Sequence, residues 1–277
     1  FVLLLFFSFG YSTCVYGQCC AAGNPACGDG GSESIGMNEL MVSVDYNHSL
    51  SRDYYHGAAK FPISYMQNSY YNFSKINLTY GLHPRFTLGA ELGYFFDKTQ
   101  NLNLLDGEQK IQSHGLGDLG VFIRANLLKK LFLNPNKLVL SVGGIIPIGA
   151  FNEEINNVVI PVSLQPSSGT LKYNVGIYFV HKKKESKFGW DARSFFEYRS
   201  TIEKGFLYHQ YGPMLDLETG IIYSNAKKLS VKLKGKVAYH FQDYRENNIL
   251  IESSGGIFTS ISPIIYYKPN ATWGVLA

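Results

Sequence analysis

Sixteen ionisable side chains fall at alternate positions of otherwise apolar segments, and they are the groups in this chain best spaced to act together. They are Glu39, Asp45, Lys75, Arg85, Glu91, Asp118, Arg124, Asp191, Arg193, Glu197, Arg199, Asp216, Glu218, Lys232, Lys234 and Lys236. Their signs are evenly mixed. Charges sharing one face of a sheet can select ions passing through a pore, or they can pair across strands and hold register. The densest set lies between Tyr211 and Gln242, with Asp216 and Glu218 on one arm of a hairpin and Lys232, Lys234 and Lys236 on the other. A tight turn at Asn225, Ala226 and Lys227 would set Asp216 near Lys236 and Glu218 near Lys234. Asp118, closing Gly115-Leu116-Gly117-Asp118, shares its face with Arg124 and could contact a substrate or pair with a cation on a neighbouring strand. Asp191 and Glu197, with Arg193 and Arg199 on one strand, pose the same choice.

Other chemistry is less well supported. A hydroxyl beside a base could act in acyl transfer at a membrane surface, and Tyr46-Asn47-His48-Ser49 places such a pair at a strand end, with His48 expected to face lipid. No partner carboxylate is identifiable, so no catalytic residue is assigned. The seven His are scattered without metal-ligand spacing. The Gly-rich run is followed by no helix whose free N–H groups could cradle phosphate. The expectation is a protein that is not an enzyme and has neither metal nor cofactor.

The segments carrying the charges have period two, which is strand and not helix. Leu215, Leu217, Thr219, Ile221 and Tyr223 alternate with Asp216, Glu218 and Gly220, and the return arm alternates in the same way. Strands are expected at about 38–48, 74–81, 85–96, 117–127, 137–149, 170–181, 188–199, 211–223, 229–242 and 255–267. An eleventh begins near Thr272 and is cut short. Short connections (82–84, 128–136, 182–187, 224–228, 268–271) alternate with longer polar ones (49–73, 97–116, 150–169, 200–210, 243–254). That alternation predicts an up-and-down meander with two unlike rims. The loop from Asn152 to Ser168 could bind ligand or fold inward as a gate.

Composition agrees with an all-β chain. Of 277 residues 15% are aromatic, with 20 Tyr, 28 Gly and only 4 Met, a profile that suits pleated surfaces and tight turns. The net charge of +4 is too small to indicate a nucleic-acid partner. Residues 1–17 read as a signal peptide cleaved before Gln18. Residues 18–35 form a Cys- and Gly-rich segment in which Cys27 could bridge to Cys19 or Cys20 after export. Residues 36–277 are expected to be the barrel, incomplete at its C-terminal end.

Two arguments favour a membrane barrel over a soluble one. A soluble core would not hold so many ionisable groups, because each unpaired buried charge costs several kcal/mol. The opposite face is a band of Leu, Val, Ile, Phe and Tyr that ends in aromatics at both rims: Tyr46, Tyr94, Tyr198, Tyr239 and Phe241 above, Tyr80, Phe86, Trp190, Tyr223 and Tyr267 below. Bilayer interfaces select two such girdles. The fold class is therefore an antiparallel up-and-down transmembrane β-barrel in which the sixteen charges face the lumen.

Gly115-Leu116-Gly117-Asp118-Leu119-Gly120, the Gly-rich strand 138–149 ending Pro147-Ile148-Gly149, and Ser262-Pro263-Ile264-Ile265-Tyr266 resemble the outer-membrane family named for the meta-pathway of phenol degradation. The resemblance spans the chain from Asn38 onward. It differs in Ile146 and Ile148, where the family has Leu and Thr, and in the Gly missing after Pro263. The resemblance implies about twelve strands, a transporter, and small hydrophobic or aromatic cargo. Together these readings predict a bacterial outer-membrane channel whose partners are the lipid bilayer and a small solute, or else a closed barrel acting through its external loops.

Overall fold

The computed structural model describes residues 35–277 apart from 54, 57–58, 61–62, 105–106, 129–135, 156–157, 183–185, 205–206, 225–227, 247–248, 252–253, 269–273 and 277. The expected signal peptide, the three cysteines and the turn at 225–227 lie outside the described residues.

One eleven-stranded antiparallel sheet, in which each strand pairs with its neighbours in the chain, curls into a half-barrel. Its strands are β1 (Leu40–Ser51), β2 (Met66–His83), β3 (Phe86–Leu104), β4 (Gly107–Asn126), β5 (Asn136–Ile146), β6 (Lys172–Lys182), β7 (Phe188–Arg199), β8 (Met214–Ser224), β9 (Leu229–His240), β10 (Gly256–Tyr267) and β11 (Val275–Leu276). Among the described residues β1 and β11 do not pair with each other. The alternation of the sequence becomes an alternation of burial: Leu217, Ile221, Leu233 and Val237 are exposed on the outer face, while Asp216, Arg193 and Glu197 are buried on the inner one.

All ten girdle aromatics are exposed, and some pack edge to edge or tilted along their rim, as Tyr239 does on Phe241 and Phe188 on Tyr223. The ten steps from Leu229 to Tyr239 rise roughly 33 Å along the strand. At a barrel strand's usual tilt that is about 25 Å, the height of a bilayer-facing apolar band.

Two of the expected long loops are corrected. β2, β3 and β4 run for 18, 19 and 20 residues, so much of 49–73 and 97–116 is ladder. β1 also continues to Ser51. The extensions mix Tyr and Thr, which suit strands, with Asn, which does not, and with Gln, so they carry no apolar alternation. Above the other end of the wall, Ile202–Lys204, Leu207–Gln210, Tyr244–Arg245 and Ile249–Leu250 form a four-stranded rim sheet. The loops after β7 and β9 are thereby joined.

Candidate functional site

The inner face of the half-barrel is a wall of paired charges and rings. On β7, β8 and β9, Arg193 approaches Glu218 at 3.5 Å and lies over the rings of Phe195 and Tyr178, at 4.6 and 5.2 Å from their centroids. Lys236 reaches Asp216 at 2.7 Å, Lys234 reaches Glu218 at 3.8 Å, and Lys232 reaches Asp191 at 2.7 Å. Gly220 makes room for the last pair, since a Cβ there would stand 2.3 Å from Lys232 Cε. Arg199 binds Glu197 at 2.7 Å on its own strand and lies over the Tyr211 ring at 5.6 Å.

The β2–β4 part of the wall is sealed more tightly. Lys75 pairs with Glu91 at 3.6 Å, and Glu91 passes over Gly120, where a Cβ would meet its Cγ at 2.6 Å. Arg124 is fully buried with its guanidinium 4.1 Å from the Phe122 ring centre. The far edge of that ring covers Gly89, as the far edge of the Phe73 ring covers Gly93. Glycine next to a large ring lets side chains interlock where two side chains could not fit.

Asp118 anchors an inward-folded segment of chain. Its carboxylate accepts bonds from Ser167 Oγ (2.6 Å), Ser168 Oγ (2.5 Å) and Ser168 N (3.1 Å), and pairs with Lys172 at 3.3 Å. Lys172 is on β6, with β5 between, so the pair does not fix the register of adjacent strands. The serines belong to the segment between β5 and β6, which folds inward as a strap. Its short 3-10 turn, Val162–Leu164, buries Leu164 beside Ile160 and Ile111. Lys98 Nζ donates to the Gln165 carbonyl at 3.0 Å, and Ser113 Oγ donates to that of Leu164. Gln165 braces the strap from within, accepting from Glu153 N and donating to the Ile160 carbonyl. Tyr211 Oη donates to the Ser168 carbonyl at 3.3 Å. Burial raises the Tyr211 phenol above its ordinary pKa, and the Arg199 charge opposes this.

The residues of the Gly-x-Gly-Asp and Pro-x-Gly stretches form the seat of this strap. Gly115, at φ +142, lies against Pro166, and a Cβ on Gly149 would stand 1.9 Å from the Leu116 carbonyl oxygen. Gly169, at φ +69, takes the Phe151 ring, which a Cβ would meet at 2.7 Å.

Of the eleven pore candidates, the structure places Asp118, Arg124, Asp191, Arg193, Glu197, Arg199, Asp216, Glu218, Lys232, Lys234 and Lys236 on the inner face, in three groups rather than one ring. Glu39 and Arg85 lie exposed at the ends of β1 and β3. Lys98 and Lys172 were missed. Lys172 sits at the start of a predicted strand and its burial follows from alternation. Lys98 was hidden by bulges in β3, which break the register between Asn72 and Phe73 on one side and between Phe95 and Lys98 on the other. One extra residue reverses which parity faces inward.

At the outer rim His48 and Ser49 point to opposite faces. Ser49 bonds Tyr71, whereas His48 Nδ1 meets Asn72 Oδ1 at 2.8 Å, and Tyr46 Oη donates to the same oxygen. Asn72 Nδ2 donates to Asp97 at 2.9 Å. A carboxylate only accepts, so it fixes the amide orientation and the proton on His48 Nδ1. Asp97 is thus the carboxylate behind His48, but the adjacent serine is not its partner.

No family model matches the chain, and no curated protein matches it. Among solved structures it is similar to the COG4313 outer membrane channel from Pseudomonas putida F1, with a TM-score of 0.67 at 15% identity, over 90% of this chain and 88% of that one. At that identity the likeness is one of fold: this chain builds the wall of an up-and-down membrane β-barrel.

Proposed function

We propose that this protein is a bacterial outer-membrane channel through which small hydrophobic or aromatic solutes pass down their own gradient. The observation that carries the reading is the two-faced wall: an apolar band between two aromatic girdles outside, and paired charges with buried rings inside. Phe73, Phe95, Phe122, Tyr178 and Phe195 all project inward and pack into the wall between the charged groups, so the inner face is apolar beneath its ion pairs. The strap from β5 to β6 is the movable constriction. In this reading residues 1–17 direct export and no cofactor takes part. The resemblance to the phenol meta-pathway family and the similarity to a solved outer membrane channel both support it.

The purified full-length protein, reconstituted in planar bilayers and liposomes, is expected to give discrete conductance steps and to release small entrapped solutes. Membranes that stay silent in both assays would leave only the closed, structural barrel.

A further inference from the structure

Building on the channel reading, we infer that the lumen selects anions, and among organic solutes small aromatic or apolar anions such as carboxylates and sulfonates. The ion pairs of the inner wall are lopsided in depth. Lys236 is 26% exposed and its partner Asp216 1%, Lys234 22% and Glu218 7%, Arg199 21% and Glu197 2%. Lys75 with Glu91 and Lys172 with Asp118 lean the same way. The reason is reach: a carboxylate on a one- or two-carbon stem stays against the wall, whereas an ammonium or guanidinium on a longer stem ends in the lumen. Arg193 with Glu218 and Lys232 with Asp191 are evenly placed, so in five pairs of these seven water in the lumen meets the positive end.

Two further features add to this bias. The sequence pattern supplied eight acids and eight bases to the interior. Glu39 and Arg85 lie at the rims, and Lys98 and Lys172 face in, so these inward groups number nine cations and seven carboxylates. The lysine stripe of β9 also has acids on one side only. β8 supplies Asp216 and Glu218, whereas β10, with the sequence GIFTSISPIIYY, has no charged residue. Between β9 and β10 the field is positive, and a low-dielectric wall focuses it into the passage. The aromatic or apolar part of the solute follows from the channel reading, and its negative charge from this field.

The test is the reversal potential of the full-length protein in planar bilayers under a potassium chloride gradient. A companion efflux assay from liposomes compares benzenesulfonate with benzyltrimethylammonium, which keep their charge at every pH. The expected result is a potential of the sign that carries chloride, with benzenesulfonate leaving faster. K234Q, the mildest change because Lys234 holds Glu218 most loosely, should move the potential toward zero, and K232E/K234E/K236E should reverse it. Potassium preference, no preference, or equal efflux in the unaltered protein overturns the inference while leaving the channel intact. A protein with neither conductance nor efflux overturns the channel reading itself, and this inference with it.

Discussion

Glu218 and Lys236 sit directly opposite one another across the β8–β9 hairpin, yet the Lys236 ammonium reaches 2.7 Å from Asp216, two residues away, and stays 3.9 Å from Glu218. Lys234 then leans to Glu218 from the position opposite Gly220. The pairs are diagonal, and the deeper member of each is the acid.

That asymmetry makes the two halves of one pair unequal. Lys236→Met leaves the buried Asp216 carboxylate without its partner and should cost about 3–5 kcal/mol. Asp216→Asn leaves a lysine that still reaches water and should cost about 1–3 kcal/mol for the mispaired buried amide. Urea titration, followed by heat-modifiable migration on gels, would measure both. Equal costs would mean the carboxylate is hydrated in solution.

The same hairpin shows what the sequence could and could not specify. Alternation settles which face each residue takes, and it placed Asp216, Glu218 and the three lysines correctly on one face. A register shift of two residues leaves every face unchanged, so the expected pairing of Asp216 opposite Lys236 came out two residues away from the observed one. Both predicted ion pairs survive because long lysine stems reach diagonally. β7 was legible to the residue, at Phe188–Arg199. The height of β2–β4 was not, because polar strands above a membrane look like loops in sequence. The Lys98 anchor was not legible because a bulge reverses parity without altering composition.

Glycine placement inside the wall predicts a contrast. Gly89→Ala sets a methyl 2.2 Å from the buried Phe122 ring, and the displaced ring carries Arg124 with it. The expected cost is about 1–3 kcal/mol. Gly235→Ala, on the outer side of β9, meets nothing within 4 Å and should be neutral or gain about 0.4–1 kcal/mol. Unfolding midpoints of the two variants should lie on opposite sides of the parent or, for the second, on it.

The rim histidine offers a check on the lipid-enzyme alternative. With Ser49 turned to the inner face, the unaltered protein should release no fatty acid from labelled phosphatidylethanolamine in mixed micelles. His48→Ala should then change nothing. Hydrolysis lost in that variant would show that another hydroxyl serves His48.

Tyr211 links the strap to the rim, and its titration has a definite sign. Its phenol is held neutral above the ordinary value of about 10, so the folded state binds more protons than the unfolded one at alkaline pH. The stability it contributes is whole below pH 10 and is lost as the pH rises beyond it. Burial raises Tyr71 as well, so absorbance titration should show Tyr211 among the late-ionising tyrosines, and Tyr211→Phe should reduce that late step by one group. The variant also loses the bond to the Ser168 carbonyl, worth about 0.5–1.5 kcal/mol.

Asp118 is the position at which strap and wall are joined, so the channel reading is most exposed to test there. Asp118→Ala removes the acceptor for Ser167 and Ser168 and leaves Lys172 without its carboxylate, while β4 keeps its ladder to β3 and β5. The barrel should therefore still assemble, with the strap held by Lys98, Ser113 and Tyr211. If the strap is the constriction, loosening it raises single-channel conductance and makes the 150–171 segment accessible to protease in intact vesicles. Adding Lys98→Met should raise both further. A variant that becomes protease-sensitive with unchanged conductance would place the constriction elsewhere on the wall, with the arginine and aromatic layer around Arg193 as the next position to vary.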